Sequence, residues 1–171
     1  MVSNTFKTLI GFLVTMIRKY TPLKLSKDTL EGIYNYHYIS DTITTSGQPT
    51  EEQFELIKDA GYQSVINLAP HNVENSLADE NALLNELGLE YIHIPVDFKN
   101  PTNENFQEFV VSMKYSSTEM TWVHCAANMR VSAFMYRYRC EVLREDIAVA
   151  KLDLENIWKP FGVWKEFVSK T

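Results

Sequence analysis

The sequence has only two cysteines, Cys125 and Cys140, among its 171 residues. Two thiols cannot build a disulfide framework or a cysteine-rich zinc site, so both of these classes of small domain are excluded. Basic residues are also in the minority, since 16 Lys and Arg face 22 Asp and Glu, for a net charge of −6. Because nucleic-acid binders need a basic surface to contact phosphates, the composition predicts no nucleic-acid partner.

The sequence also lacks a long hydrophobic run. Residues 8–17 form an uncharged stretch about half as long as a membrane span requires. Lys7 precedes this stretch and Arg18 follows it, without a small-residue cleavage site, so we expect a cytoplasmic protein and no secretion. At helical spacing the segment has one apolar side, formed by Phe6, Leu9, Leu13, Met16, Ile17 and Tyr20.

Two interpretations fit the apolar side of residues 6–20. In the first, a helix docks through this side on the rest of the chain or on a second copy. In the second, the helix lies in a membrane interface with a basic rim and gives the protein peripheral membrane contact. Either way, we predict a helical appendage over residues 1–30 and one domain over residues 31–171.

Strand-like and helix-like segments alternate from residue 35 onward. The β-prone segments are 36–39, 42–45, 64–68, 91–96 and 121–124. The segments with helical periodicity are 50–60, 76–87, one from 101 onward, 131–143 and the stretch 146–171. This alternation predicts an α/β fold with a central, mainly parallel sheet of about four to five strands and helices on both faces. In such sheets, ligands bind beyond the carboxyl ends of the strands.

The turn after the segment 121–124 carries the candidate chemistry. Cys125 leaves a buried strand just before a helix begins, where unpaired N–H groups and the helix dipole bind anions and favour a thiolate. Arg130 closes the turn, and its planar fork can hold two oxygens of a phosphate or a sulfur oxyanion. Asn128 tolerates left-handed backbone, which would let N–H groups point inward. Cys140, inside the following helix, is interpreted as a small buried apolar residue.

The segment VHCAANMRVSAFMYRYR resembles the catalytic loop and following helix of protein tyrosine and dual-specificity phosphatases. The upstream segments GQPTEEQFELIKDAGYQSVINLAP and LGLEYIHIPVDFKNPT resemble a bacterial branch of that superfamily, the beta-lactamase-hydrolase-like phosphatase domains. The resemblance extends from about Asn35 to Phe167 and implies a phosphotyrosine-phosphatase-like fold.

This resemblance also implies roles for individual residues. Cys125 would be the nucleophile that accepts the phosphoryl group, Arg130 would hold its oxygens, and Asp97 would protonate the leaving oxygen. The phosphate would be bound by the loop residues Ala126, Ala127, Asn128, Met129 and Arg130, with support from His124 and Ser132. The partner would be a phosphorylated protein or small molecule. No metal or other cofactor is expected, because the four histidines lack ligand spacing with carboxylates.

The loop departs from the phosphatase signature in its length. Four residues, 126–129, separate Cys125 from Arg130 where the signature has five, and the usual glycines are missing. Ser132 nevertheless keeps the signature's distance from Cys125. The shorter spacing also resembles rhodanese-type sulfurtransferases, whose cysteine forms a persulfide. We therefore predict a Cys-dependent phosphatase with a phosphocysteine intermediate, and keep a sulfurtransferase and a non-catalytic anion-binding module as alternatives.

Overall fold

A computed structural model describes residues 4–19, 29–116 and 119–171, without the side chains of residues 14–19. It contains five strands, seven α-helices and a short 3₁₀ helix, Leu30–Gly32, within these ranges. The strands are β1 (His37–Ser40), β2 (Ile43–Ser46), β3 (Ser64–Asn67), β4 (Glu90–His93) and β5 (Thr121–His124). The helices are α1 (Asn4–Lys19), α2 (Glu51–Asp59), α3 (Glu80–Glu86), α4 (Asn103–Tyr115), α5 (Met129–Glu141), α6 (Ile147–Ile157) and α7 (Val163–Val168).

The five strands form one sheet in the order β1-β2-β5-β3-β4. β1 pairs antiparallel with β2, and the other pairings are parallel, with Val123 of β5 opposite Thr45 of β2 and Ile66 of β3. β5 therefore lies in the centre of the sheet, where both of its edges are paired. The predicted α/β fold with a mainly parallel sheet is confirmed.

Helices cover both faces of this sheet because alternate strand residues point to opposite sides. On one face, Trp122 and Val65 pack in a cluster with Phe54 of α2 and Leu84 of α3. On the other face, Val123 belongs to a larger cluster that joins apolar side chains of α4, α5, α6 and α7, among them Phe106, Phe109, Phe134, Leu154, Trp164 and Phe167. The sheet is thus buried on both sides, as expected for parallel strands.

Helix starts follow from local capping. Thr50 and Gln53 form a capping box at the start of α2, and Thr102 with Asn105 forms a second one at the start of α4. The predicted helix from residue 76 is wrong at its start. Ser76 instead donates to the carbonyl of His71, and the N-cap that begins α3 is Asp79. The chain between β3 and α3 is therefore a loop that reaches the carboxyl edge of the sheet.

Helix α1 docks on the domain through the side opposite to the predicted one. Thr8 is 4% exposed and faces the fold, whereas Phe6, Leu9 and Leu13 are 54%, 49% and 55% exposed. The prediction that the apolar side packs on this domain is thus wrong for these three residues. The side chains of Met16, Ile17 and Tyr20 lie outside the part of the chain that the structure describes.

Candidate active site

The turn between β5 and α5 is the point where the central strand leaves the sheet. Asn128 adopts the left-handed conformation, with φ 62° and ψ 2°, as the sequence predicts. Its Nδ2 donates to the carbonyl of Asn35 at 2.8 Å and to Oγ1 of Thr45 at 3.0 Å. The residue is fully buried, so these bonds fix the sharp reversal of the chain just before the helix.

Two asparagine side chains bond to backbone carbonyls of the turn between β5 and α5. The Ala126 oxygen accepts from Nδ2 of Asn75 at 2.9 Å, and the Ala127 oxygen accepts from Nδ2 of Asn35 at 3.0 Å. In a trans peptide the N–H points opposite to the C=O, so the Ala127 N–H is directed away from Asn75, toward the inside of the turn. The predicted loop conformation is imposed by two asparagines that sequence analysis did not single out.

The first turn of α5 has no side-chain cap. Asn128 occupies the N-cap position, but its Oδ1 accepts no hydrogen bond from the first turn, and the two bonds donated by Nδ2 hold the side chain toward Asn35 and Thr45. The N–H groups of Met129, Arg130 and Val131 belong to the first helical turn, where no intrahelical acceptor exists. With the helix dipole, these groups make the turn a place of positive potential.

Arg130 is 8% exposed and lies beside the segment that follows β4. Its Nε donates to the carbonyl of Val96 at 2.9 Å, and its guanidinium carbon lies 5.3 Å from the centre of the Phe98 ring. Across the described ranges of the chain, no carboxylate forms an ion pair with it. A buried guanidinium in this state retains its capacity to bind an anion through the Nη atoms.

Asp97 lies between the two residues that Arg130 contacts. It is exposed, and its Oδ1 accepts from the backbone N–H of Lys99 at 2.9 Å. Trp164 of α7 donates through Nε1 to the Phe98 carbonyl at 2.8 Å. Because the Val96 and Phe98 carbonyls are both held, the backbone on each side of Asp97 is fixed next to the turn between β5 and α5.

Behind Cys125 lies a buried polar cluster that the sequence analysis missed. His124 is fully buried, and its Nε2 lies 3.2 Å from Oε1 of Glu80, an ion-pair distance without good hydrogen-bond alignment. Glu80 also accepts from Nδ2 of Asn67 at 2.7 Å and from Nε2 of Gln48 at 2.5 Å. Burial raises the pKa of Glu80, but His124 and the two amide donors outweigh it and lower that pKa to about 2.

Ser132 faces away from the cysteine. Its hydroxyl donates to the Met129 carbonyl at 3.1 Å and accepts from Nε1 of Trp158 at 3.2 Å. A hydroxyl has one proton to donate, so in this geometry Ser132 supports the start of α5 and the packing of Trp158. Its predicted support of the site is therefore indirect.

The two cysteines are both buried. Cys125 is 1% exposed and Cys140 is 9% exposed, and both thiols are free. Burial raises the pKa of Cys140, which favours its uncharged form. Among the residues that the structure describes, no cluster of His, Cys, Asp and Glu could hold a metal ion.

A match to a family profile shows which class of protein this chain belongs to. Residues 15–161 match the family described as DSP-PTPase phosphatases fused to NAD⁺ kinase. The chain belongs to this family. It is therefore a phosphatase domain of the protein tyrosine and dual-specificity class, as the resemblance predicts, and the family favours this class over the sulfurtransferases.

Solved structures of phosphatases share its fold. A protein assigned as a phosphatase (DUF442) from Shewanella putrefaciens CN-32 is 32% identical, with a TM-score of 0.75 over 82% of this chain and 93% of that one. The core catalytic domain of the PP-IP phosphatase SIW14 from S. cerevisiae is 13% identical, with a TM-score of 0.67 over 80% and 85%. TpbA of P. aeruginosa, bound to pTyr, is 15% identical, with a TM-score of 0.61 over 80% and 82%. A comparison with curated proteins gave no match.

Proposed function

We propose that this phosphatase hydrolyses phosphomonoesters through a phosphocysteine intermediate on Cys125. The Cys125 thiolate attacks phosphorus, the bond from phosphorus to the leaving oxygen breaks, and that oxygen takes a proton from Asp97. Water then attacks the phosphocysteine while Asp97 accepts a proton, and inorganic phosphate leaves as the thiolate is restored. The step needs no metal ion or redox partner.

The state of Arg130 is the observation that carries this proposal. A buried charge costs free energy unless it is paired, and this guanidinium lacks a carboxylate partner within the described residues. It lies at the uncapped start of α5, five residues after Cys125. A bound phosphoryl group would supply the missing negative charge, and the charge that develops on its oxygens in the transition state would strengthen the contact.

Asp97 fits the acid role by position. Its neighbours Val96 and Phe98 are held by Arg130 and Trp164, so its carboxyl is carried on a fixed segment at the rim of the site. An aspartate in an ordinary turn would make the same contact with the Lys99 N–H. The acid role is therefore distinguished from a turn role by whether Asp97 matters more for esters with poor leaving groups.

The substrate is a phosphorylated protein or small molecule. The loop N–H groups and Arg130 contact only the phosphate, which is shared by aryl and alkyl phosphomonoesters. TpbA, whose fold is similar, was solved with bound pTyr, so an aryl phosphate is a suitable first probe.

The proposal is tested by exchanging each thiol separately. We expect Cys125→Ser to abolish release of phosphate from an aryl phosphate, because a hydroxyl is a poor nucleophile without a base to activate it. Cys140→Ser should keep the wild-type rate, and neither the wild type nor the variants should transfer sulfur from thiosulfate to cyanide. Turnover that survives Cys125→Ser, or sulfur transfer by the wild type that this change removes, would refute the mechanism.

A further inference from the structure

Helix α1 is held on the domain through its small and polar residues. Thr8 donates through Oγ1 to the Ile157 carbonyl at 2.5 Å, and the Tyr34 hydroxyl donates to the Thr8 carbonyl. Asn4 donates to the Glu155 carbonyl at 3.0 Å, and Oγ1 of Thr5 accepts from the Lys159 N–H at 2.8 Å. These bonds join α1 to the carboxyl end of α6 and to the chain before β1.

Close packing at Gly11 fixes which side of α1 faces inward. A Cβ at this position would lie 2.5 Å from the Tyr34 ring, so the helix approaches Tyr34 more closely than a larger residue would allow. Gly11, Thr8 and Thr5 follow each other at three-residue spacing on the same side of the helix. The orientation of α1 is therefore set by its docked side, and its opposite side must face outward.

That opposite side is an apolar stripe, defined as Phe6, Leu9, Ile10 and Leu13, with exposed fractions of 54%, 49%, 47% and 55%. The four residues stand at i, i+3, i+4 and i+7, the spacing of a continuous helical face. A contiguous exposed apolar patch on a folded protein marks a surface that contacts something else. Lys7 is exposed beside it.

The charge of this part of the chain indicates the partner. Residues 1–28 contain five Lys and Arg and a single Asp, whereas residues 29–171 contain eleven Lys and Arg and 21 Asp and Glu. Along the sequence, basic residues therefore outnumber acidic ones in the segment that contains the apolar stripe. Pairing of two stripes in a dimer would bring two basic segments together, which electrostatic repulsion opposes.

We propose that α1 binds an anionic lipid surface, lying in its plane with the apolar stripe inserted. A stripe of this kind combined with nearby basic charge is what binds helices to the headgroup region of anionic membranes. No helix in the described parts of the chain has the length and apolar character needed to cross a bilayer. The docking bonds of α1 can persist on the membrane, because they use the side that faces the domain.

Vesicle flotation with the full chain tests the proposal. We expect the protein to float with phosphatidylcholine vesicles containing about 30% phosphatidylserine, and to bind pure phosphatidylcholine vesicles much more weakly. High salt should weaken binding, because it screens the attraction between the basic segment and the lipid charge.

Substitution within the stripe gives the decisive comparison. Leu9→Asp should weaken binding to the anionic vesicles at least about ten-fold, since it places a charge where an apolar side chain inserts. Val111→Asp is the matched control, because Val111 is an aliphatic residue on α4 that is 67% exposed. It should bind as the wild type does, and both variants should keep the wild-type turnover of a soluble aryl phosphate.

Either of two vesicle results would overturn the proposal: an absence of wild-type binding to the anionic vesicles, or equal binding by wild type and Leu9→Asp. If binding is absent and light scattering shows a concentration-dependent dimer that Leu9→Asp abolishes, a second copy covers the stripe instead of a membrane.

Discussion

A cysteine and at least one buried arginine lie near each end of α5: Cys125, just before the helix, with Arg130 at the amino end, and Cys140 with Arg137 and Arg139 toward the carboxyl end. The two ends differ in what surrounds the arginines. Toward the carboxyl end, Arg139 lies between Glu145 at 2.8 Å and Asp153 at 2.5 Å, and Arg137 pairs with Glu141 at 2.6 Å. At the amino end, Arg130 has a backbone carbonyl and an aromatic ring as its neighbours. The arginine charges toward the carboxyl end are balanced by carboxylates, whereas within the described ranges Arg130 has no carboxylate partner.

This difference is the basis for assigning different roles to the arginines. The charges of Arg137 and Arg139 are balanced by carboxylates, and removing one partner of such a buried pair destabilises a protein. The desolvation of Arg130 is not balanced by a carboxylate within the described residues, and a phosphate bound at the uncapped helix start would offset it. The same helix thus has an ion-paired cluster at one end and the proposed phosphate site at the other.

The largest difference in turnover is expected between substitutions of Asp97, near the amino end of α5, and Asp153, near its carboxyl end. Asp97→Asn should slow hydrolysis of esters with poor leaving groups by about 10²–10⁴, and of activated aryl phosphates least, because proton donation matters most when the leaving oxygen is basic. Steady-state rates with a series of leaving groups measure this effect.

Asp153→Asn is the control for this pair. It weakens the cluster around Arg139, so we expect a loss of about 1–3 kcal/mol in unfolding free energy and little change in turnover. If Asp97→Asn leaves every phosphate ester unaffected, Asp97 belongs to the turn alone and the mechanism lacks its acid.

Substitutions of Arg130 and Arg139 should likewise differ in whether they lower turnover or stability. Arg130→Lys should lower turnover by about 10²–10³, because lysine keeps the charge but loses the planar fork that holds two oxygens. Arg139→Lys should lower the melting temperature and leave turnover near wild type. Rates and thermal melts of the two variants distinguish the roles, and an Arg130→Lys enzyme of near wild-type rate would mean that this guanidinium does not contact substrate.

The two thiols should differ in reactivity, by roughly ten-fold or more. Cys125 lies just before the uncapped start of α5 and is the proposed nucleophile, whereas burial raises the pKa of Cys140 and favours its uncharged form. Alkylation by iodoacetamide, followed by peptide mass spectrometry, should therefore modify Cys125 first, and phosphate or vanadate should protect it. Equal and slow labelling of both residues would contradict an anion site at the amino end.

The smallest effect on turnover is expected from Glu80, behind the loop, which should act on stability instead. Its pKa in the folded protein is about 2, below the ordinary value of 4.5, so its ionised form stabilises the fold above pH 4.5. This contribution, on the order of 3 kcal/mol, is lost as the pH falls from 4.5 to 2, where the folded form must also take up the proton. Denaturant titrations at several pH values should show a flatter acid dependence for Glu80→Gln, while Glu86→Gln, at an exposed position on α3, keeps the wild-type slope.

Local patterns were enough to predict the fold class and the left-handed backbone of the turn after β5. The capping box at Thr50, the strand before Cys125 and the left-handed Asn128 are each determined by residues a few positions apart. These interactions depend on backbone preferences that a sequence displays directly, so periodicity and capping signals place them correctly.

The surroundings of the loop could not be predicted in this way. Asn75 and Asn35 reach the loop carbonyls across 51 and 92 residues of chain, and a local pattern carries no information on such contacts. Glu80 falls in a segment where a charged residue ordinarily faces solvent. The one available signal was Asn67, a polar residue inside an otherwise apolar strand, because such a residue needs a buried partner.

Helix α1 shows a different failure. Apolar residues at helical spacing ordinarily face the core, which favours docking through Phe6, Leu9 and Leu13. The structure instead docks the side with Thr8 and Gly11, where short side chains permit close approach and threonine bonds to backbone carbonyls. Periodicity identifies an apolar side but does not identify what covers it.

The central claim is that Cys125 forms a phosphocysteine whose oxygens are bound by Arg130 and the amino end of α5. Acid quenching during turnover of an aryl phosphate, followed by mass spectrometry of the peptides, detects this intermediate directly. We predict a single phosphoryl group on the peptide with Cys125 in the wild type, and none on the peptide with Cys140. Turnover at the wild-type rate without any phosphocysteine, or with the phosphoryl group on another residue, would contradict the account.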